Sequence, residues 1–286
     1  MKQYKNPDLH MHSIFSDGTD SPDVLVSCVK ELGIDIFALT DHDTIKGCQR
    51  ILELNDHPDF ITGIEFSCRE DDGKSHILGF GYDINDSGIQ NISKKLHQDR
   101  VDKVVQTLDF LEKEFNIILP DNEKDEAINS NSPSHSHIAQ LMIKNGYAEN
   151  TDKAFDIIHE FKGKNSYTTP ETAIGVILNA GGIPVLAHGV LEDGGGNLTY
   201  EQMHTRVQRF KSYGLMGLEC FYSTFDDDKH NIMLSIAKSE NLLVTAGSDY
   251  HGTNKKVLLG GVGINKPTFE VMAPFYESIS NRIISC

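Results

Sequence analysis

Histidine and carboxylate side chains recur beside short apolar runs along the 286-residue chain. His10 and His12 are two positions apart in the run Leu9–His12, which we predict to be a strand, so both side chains share one face. Similar side chains stand at or just beyond the ends of other apolar runs, at Asp17, His42, Glu65, His76, His188, Asp249 and His251. Loops at the carboxyl edge of parallel strands converge in α/β folds, so residues from both ends of the chain can meet at one site.

Each of these groups has an ordinary structural explanation when it is taken alone. A His-x-His pair on a strand is usually structural or exposed, and a histidine such as His188 at the end of a buried strand is often a satisfied core residue. The segment Asp41-His42-Asp43 could simply cap the next helix. Together, however, nine ionisable side chains at one edge are costly to bury unless something pairs them. Divalent cations are the simplest partner, so we predict a site for more than one metal ion.

The ligand types narrow the choice of metal and its chemistry. The set contains imidazoles and carboxylates without a convincing thiolate, which suits Mn²⁺, Fe²⁺ or Zn²⁺ and disfavours a closed cysteine-type zinc site. A carboxylate such as Glu65 can bridge two ions. Clustered ions lower the pKa of bound water and hold phosphoryl oxygens, so hydrolysis of a phosphate ester is the natural reaction.

The elements that would position these groups alternate between apolar runs and helical patterns. Ser21 and Pro22 open a helix whose apolar residues follow one face. Besides Leu9–His12, the predicted strands are Ile36–Thr40, Phe60–Phe66, Ser75–Tyr82, Ile183–His188, Gly217–Phe221 and Leu242–Gly247. These seven strands, with helical patterns between many of them, indicate parallel pairing in an α/β barrel or an open sheet.

Residues 86–170 break this rhythm. They contain a long amphipathic pattern, Ile89–Phe115, followed by a polar acidic stretch and by helical patterns at His137–Asn145 and near Thr151–Phe161. We interpret residues 86–170 as a small helical insertion that covers the active site. The metal-binding barrel would then consist of residues 1–85 and 171–286.

Charge and cysteine content limit which partners the protein can bind and in which cellular compartment it occurs. A formal net charge of −16 argues against a long nucleic-acid-binding surface, although a nucleotide could still bind at metal ions. Five cysteines without a Cys-x-x-Cys pair favour free thiols in a reducing compartment. The chain shows neither a signal-peptide pattern nor an apolar stretch long enough for a membrane span. We therefore predict a soluble, cytoplasmic protein without a membrane partner, and the oligomeric state stays open.

Six segments occur along the chain in the order DLHMHSIFSDGTDSP, TDHDT, GIEFS, HILGFG, GGIPVLAH and GSDYHG. Together they resemble the PHP (polymerase and histidinol phosphatase) family of metal-dependent phosphoesterases, and most closely its TrpH/YciV-like subgroup. The resemblance implies an α/β fold, a distorted (β/α)7 barrel with an inserted helical subdomain. That fold is consistent with the seven predicted strands.

The resemblance also implies how the ligands are shared among two or three divalent ions. The first ion would take His10, His12, Glu65 and Asp249. The second would share Glu65 and add His76 and His188, and the third would take Asp17, His42 and His251. Asp41 and Asp43 are candidates for orienting the ligand imidazoles. The catalytic candidates are Glu65, Asp41 and His137.

One departure from the subgroup concerns substrate binding. Where subgroup members usually read Arg-Pro-His-Ile-Ala, the chain reads His135-Ser136-His137-Ile138-Ala139. His137 keeps the family histidine, which the resemblance implies is a phosphate contact or proton donor. His135 replaces an arginine whose forked guanidinium would grip a second phosphate. Lys162, Lys164 or Arg206 could compensate, although solvated surface charges are their more ordinary explanation.

These features together predict a mechanism and leave alternatives open. We expect a metal-bridging hydroxide to attack phosphorus in line, while His137 or a group near the ions protonates the leaving oxygen. The resemblance implies a 3′,5′-nucleoside bisphosphate or the 5′ end of short RNA as substrate. A cyclic phosphate diester of a sugar or nucleotide is the alternative substrate. A non-catalytic PHP scaffold and a metal-dependent C–N hydrolase are alternatives of other classes, which metal content and phosphate release would distinguish.

Overall fold

The structure is a computed structural model that describes residues 2–71, 73–163, 166–191, 196–263 and 265–286. The chain forms two compact units. The first, here called the barrel unit, comprises Met1–Ile92 and Thr168–Cys286, and the second, the helical unit, comprises Ser93–Tyr167. The helical unit therefore occupies most of the segment that we predicted as an insertion.

Seven strands form one sheet in the described part of the chain, in the order β1 to β7. They are β1 (Pro7–Asp8), β2 (Ile36–Leu39), β3 (Asp59–Glu70), β4 (Gly73–Phe80), β5 (Ile183–Leu186), β6 (Gly217–Tyr222) and β7 (Leu243–Gly247). Neighbours are parallel except around β4, which is antiparallel to β3 and β5. Too few residues separate β3 from β4 for the crossover that parallel neighbours need. The predicted α/β fold with seven strands is confirmed.

Hydrogen bonds between the two edges of the sheet nearly close it into a barrel. The amide of Leu9 donates to the carbonyl of Ala246 at 3.0 Å, and the amide of Asp249 donates to the carbonyl of His10 at 2.7 Å. Leu9–His12 was wrongly predicted as a strand, because the strand ends at Asp8 and Leu9–His12 is an extended segment beyond it. Beyond Leu9, its backbone bonds go to Thr40, Asp249 and Tyr250, which lie past the ends of β2 and β7, so it forms no continuous ladder with either strand.

The described residues contain ten helices. They are α1 (Pro22–Glu31), α2 (Lys46–Leu52), α3 (Ser87–Phe115), α4 (Asp121–Ile128), α5 (His135–Lys144), α6 (Thr151–Ile158), α7 (Pro170–Asn179), α8 (Tyr200–Tyr213), α9 (Asp227–Ser239) and α10 (Phe269–Ile279). None of these helices has the length and apolar character needed to cross a bilayer.

Helix α1 illustrates how the sequence sets the elements of the barrel unit. The hydroxyl of Ser21 accepts a hydrogen bond from the amide of Val24 at 3.3 Å, which caps the helix at its first turn. Gly33 follows the helix with a φ of 64°, a conformation that glycine adopts without strain. The buried face of α1 packs against Phe37 and Phe60 in the barrel core.

The helical unit has its own apolar core, formed by side chains of α3, α5 and α6 such as Leu111, Met142 and Ile158. Helix α4 lies within the acidic stretch, where we predicted no helix. Only Ala127 of α4 is buried, so the helix has no apolar stripe that a periodicity could reveal. Acidic residues in its first turn favour it through the helix dipole.

Candidate metal centre

Glu65 lies in the middle of the histidine and carboxylate cluster of the barrel unit. It belongs to β3 and is buried, with 1% of its surface exposed. Its Oε2 atom is 3.3 Å from Nε2 of His10, 3.1 Å from Nε2 of His12 and 3.2 Å from Nδ1 of His42. Three imidazoles from two segments therefore converge on one carboxylate oxygen.

The other oxygen of Glu65 faces two further histidines. Its Oε1 atom is 3.0 Å from Nδ1 of His76 and 3.4 Å from Nε2 of His188. His76 lies near the beginning of β4, and because β4 runs antiparallel, its beginning shares an edge with the carboxyl ends of the parallel strands. His188 follows β5 directly. Glu65 thus faces one group of imidazoles through each oxygen, as a carboxylate bridging two ions would.

Asp249 completes the first group of ligand atoms. Its Oδ1 atom is 3.4 Å from Nε2 of His10 and 3.2 Å from Nε2 of His12. The ligand atoms of His10, His12, Glu65 and Asp249 all lie within 4.8 Å of one another, so these four residues could hold a metal ion. Residues His42, Glu65 and His76 form a second such group.

A third group gathers around Asp17, whose side chain is half exposed. Its Oδ1 atom is 3.2 Å from Nε2 of His251 and 3.5 Å from Nδ1 of His12. Its Oδ2 atom is 3.8 Å from Nε2 of His42. His12, Asp17, His42 and His251 could therefore hold a further ion. All nine candidate ligands predicted from the sequence come together in the barrel unit, and their binding of metal stays a prediction.

Unusual backbone conformations occur where the cluster is built. Asp249 has a φ of 57°, His188 of 28° and Asp43 of 59°, all in the region that residues with a side chain rarely adopt. Such conformations cost free energy and persist where the surrounding structure fixes them. Strain therefore accompanies the residues that carry the candidate chemistry.

Buried polar atoms of the cluster fit a set of metal ions. Among the described residues, Nε2 of His10, His12 and His251, Nδ1 of His76 and Oε1 of Glu65 are buried without a hydrogen-bond partner. Unsatisfied buried polar atoms are rare and costly. Since each of these atoms lies 3.0 to 3.3 Å from another candidate ligand atom, cations between the ligands would satisfy all five.

Glu219 is a buried carboxylate of the site that the sequence did not single out. Its Oε1 atom is 2.9 Å from Nδ1 of His10, and its Oε2 atom accepts from the amide of His188 at 2.9 Å. A carboxylate on Nδ1 holds the proton there and turns the lone pair of Nε2 toward the cluster. The available signal was a lone acidic residue inside the apolar run of β6, which is unusual for a buried strand.

The two carboxylates that flank His42 bind the backbone and hydroxyl groups of neighbouring segments. Asp41 accepts from the amide and hydroxyl of Ser13 at 2.7 and 2.8 Å and from the hydroxyl of Ser16 at 2.7 Å. Asp43 accepts from the amide of Ser67 at 2.9 Å. Asp41 thereby fixes the turn that follows His12, a positioning role, and a catalytic role for Asp41 stays a prediction.

Burial and neighbouring charges shift the titration of the cluster. Burial lowers the pKa of His42 to about 3, despite the opposing carboxylates of Glu65 and Asp17. At His12 burial also acts downward, but Asp249 and Glu65 outweigh it and raise the pKa to about 9. Binding of cations would displace the proton on His12, since a ligand imidazole must be neutral.

A cavity of about 180 Å³ adjoins the cluster and carries cations on its wall. His76, His188 and Asp249 line it, together with Lys74, Arg206, Tyr222 and Lys255. Tyr222 and Lys255 both donate to Oδ2 of Asp249, at 2.7 and 2.6 Å. Arg206 is 6% exposed, so its interpretation as a solvated surface charge is wrong. Sequence patterns gave no signal for Lys74, Tyr222 or Lys255.

The remaining substrate-binding candidates belong to the helical unit. His135 lies with Nε2 3.0 Å from the hydroxyl of Thr107, and burial lowers its pKa to about 4. His137 lies with Nδ1 2.9 Å from the hydroxyl of Ser134. Lys164 lies outside the described residues. Contacts of these three side chains with a substrate stay predictions.

Comparison with known proteins places this geometry in a family. Residues 8–168 match the PHP domain. A 5′-3′ exoribonuclease from Haemophilus influenzae is 30% identical over 86% of this chain and 90% of its own. A 3′,5′-nucleoside bisphosphate phosphatase from Chromobacterium violaceum is 26% identical over 98% of both chains. A crystal structure from Bifidobacterium adolescentis, described as a metal-dependent phosphoesterase, is 25% identical and superposes with a TM-score of 0.75 over 95% of this chain and 96% of that one. The chain therefore belongs to the PHP domain family and is a metal-dependent phosphoesterase.

Proposed function

We propose that this phosphoesterase hydrolyses a 3′,5′-nucleoside bisphosphate or trims the 5′ end of short RNA. The observation that carries the proposal is the convergence of five buried, unbonded ligand atoms next to a cavity with cationic walls. The substrates of the Haemophilus influenzae and Chromobacterium violaceum relatives support the choice of nucleotide. The metal centre accounts for the chemistry, and the cavity accounts for the binding of an anionic substrate.

We propose that the nine ligands are shared among three ions, with His188 beside His76 at one oxygen of Glu65. His10, His12, Glu65 and Asp249 would hold one ion, Glu65 with His76 and His188 a second, and Asp17 with His42 and His251 a third. Bound ions of this kind make water a stronger nucleophile at neutral pH and stabilise negative charge on phosphoryl oxygens. We propose Mn²⁺, Fe²⁺ or Zn²⁺ as the native metal, since the donors are imidazoles and carboxylates.

Residues around the ligands prepare the centre for this reaction. Glu219 holds the proton of His10 on Nδ1, and the carbonyl of Asp249 holds that of His251 on Nδ1 at 2.8 Å, so both Nε2 atoms face the cluster with lone pairs. Lys255 adds a fixed positive charge on the cavity wall beside Asp249. Such fixed charges stabilise the negative charge that develops during phosphoryl transfer.

Phosphate release by the Mn²⁺-loaded protein tests the proposal. Adenosine 3′,5′-bisphosphate and a 5′-phosphorylated oligoribonucleotide are the two substrates, and a nucleoside cyclic phosphate is the comparison. Glu65→Gln is expected to abolish turnover, because it weakens a carboxylate that faces two groups of ligands. Glu53→Gln is the matched control, since this glutamate is exposed and pairs with Arg50 on the surface. If the protein hydrolyses only the cyclic phosphate, the proposed substrates are wrong and the substrate is a cyclic diester.

A further inference from the structure

Two donors hold one oxygen of Asp249, and imidazoles surround the other. The hydroxyl of Tyr222 donates to Oδ2 of Asp249 at 2.7 Å, and the ammonium group of Lys255 donates to the same atom at 2.6 Å. The Oδ1 atom is instead 3.4 Å from Nε2 of His10 and 3.2 Å from Nε2 of His12. The two oxygens of this buried carboxylate therefore have separate partners, hydrogen-bond donors for one and candidate ligands for the other.

A β-bulge in β6 brings Tyr222 to the metal centre. The pairing of β6 with β7 shifts by one residue between Glu219 and Phe221. Side chains three positions apart on a regular strand lie on opposite faces, but one extra residue reverses the alternation beyond it. Both Glu219 and Tyr222 therefore reach the same site, where Glu219 accepts from the amide of His188 and the ring of Tyr222 lies 5.1 Å from the ring of His188.

Tyr222 is well suited to fix a neighbouring carboxylate. It is 6% exposed, and its ring packs between those of His188 and Phe225, with centres 5.1 and 5.2 Å away. A side chain that packing already holds loses little further entropy when its hydroxyl donates. The side chain of Lys255 is 41% exposed and has more freedom to lose. Tyr222 is thus the more rigid of the two donors to Asp249.

We propose that Tyr222 is a positioning residue of the reaction, which together with Lys255 holds Oδ2 of Asp249 so that Asp249 binds its metal ion through Oδ1 alone. This inference rests on the metal centre of the proposed function. A carboxylate whose second oxygen serves two donors cannot turn both oxygens toward an ion. Ligation through one oxygen leaves room at the ion for substrate, as a catalytic metal site requires. Groups that orient a ligand in this way set the affinity for the metal without touching it.

The affinity for Mn²⁺, measured by competition with a chelator, tests the role of Tyr222. Tyr222→Phe removes the hydroxyl and keeps the ring, and we expect it to weaken Mn²⁺ binding about 10- to 100-fold, the usual effect of losing a group that orients a ligand. Lys255 is a less direct probe, because its replacement also removes a positive charge, and that loss by itself favours cation binding.

Tyr82→Phe is the matched control. Tyr82 is also buried, and its hydroxyl donates at 2.8 Å to the carbonyl of Gly63, which is not a candidate ligand. This variant should lose stability, since it also loses a buried hydrogen bond, but it should bind Mn²⁺ as tightly as the wild type. The comparison separates the orientation of Asp249 from a general loss of stability.

Crystals of the wild-type protein grown with Mn²⁺ give a second test that needs no variant. Oδ1 of Asp249 should bind the ion while Oδ2 keeps Tyr222 and Lys255 as partners. Wild-type affinity in folded Tyr222→Phe, an equal loss in Tyr82→Phe, or an ion bound by Oδ2 would each overturn the inference. Absence of Mn²⁺ at Asp249 would overturn it together with the metal centre. If the protein binds Mn²⁺ but hydrolyses neither nucleotide, only the proposed substrates fail, and the affinities still decide the inference.

Discussion

Replacing Glu219 with glutamine removes a buried negative charge beside the metal centre while keeping the size of the side chain. The carboxylate now serves two donors, Nδ1–H of His10 and the amide of His188, each at 2.9 Å. Glutamine has one acceptor oxygen and one NH₂ group, so one of these donors would face another donor. The imidazole of His10 would lose the partner that fixes its proton on Nδ1.

The expected cost follows from the role of such partners. Removing a group that orients a ligand imidazole typically weakens metal binding about 10- to 100-fold, or about 1.4 to 2.7 kcal/mol. We expect Glu219→Gln to fall in this range, because it alters both the proton position and the charge that strengthens His10 as a ligand. Saturating metal should restore much of the turnover, since the ligands themselves remain.

Competition between the protein and a chelator for Mn²⁺ measures this effect directly. Glu240→Gln is the matched control, because Glu240 also binds a histidine, His204, at 2.6 Å, but belongs to no group of candidate ligands. Its affinity for Mn²⁺ should equal that of the wild type. Wild-type affinity in a folded Glu219→Gln protein would refute the argument that this carboxylate orients His10.

Three further predictions concern stability, protonation and proton transfer. Asp41→Asn should lower the free energy of unfolding by about 1 to 3 kcal/mol in a denaturant titration, since it weakens buried hydrogen bonds to Ser13 and Ser16. The pKa of about 9 for His12 exceeds its ordinary value of 6.5, so its charge stabilises the metal-free protein fully below pH 6.5. The melting temperature of the metal-free protein should therefore fall from pH 6.5 to 9, and less so in His12→Gln. His137→Gln should lower kcat at least 100-fold if this histidine protonates the leaving oxygen, as measured by phosphate release.

Each of these predictions has a control variant or a result that would contradict it. Asp125→Asn changes an exposed aspartate and should leave the free energy of unfolding unchanged. A flat melting temperature between pH 6.5 and 9 would contradict the charge assigned to His12. Turnover by His137→Gln equal to that of His159→Gln, an exposed histidine of the same unit, would remove His137 from the mechanism.

Much of the barrel could be predicted from the sequence because its strands are buried and its helices are amphipathic. β2, β5 and β6 are buried along their whole length, so each appears as a continuous apolar run between helical patterns. The direction of β4 could not be read from such a run. The error at Leu9–His12 has the same origin, since an extended segment and a strand share one pattern and differ only in their partners.

The candidate ligands were visible because they stand at or just beyond the ends of apolar runs in the sequence, and each is of a type that binds metal. The groups around them were not visible, because they act through contacts that only the fold creates. Glu219 meets His10 across 209 positions of sequence, and Lys255 reaches Asp249 from a loop without periodicity. The burial of Arg206 likewise depends on how α8 lies against the β3–β4 hairpin.

The position of metal ions in the folded protein tests the central claim most directly. Crystals grown with Mn²⁺ should show anomalous scattering peaks among the nine ligands, with one peak bounded by His10, His12, Glu65 and Asp249 and another beside His76. Hydrolysis of phosphate esters by a protein whose anomalous map is empty at Glu65 would contradict the account.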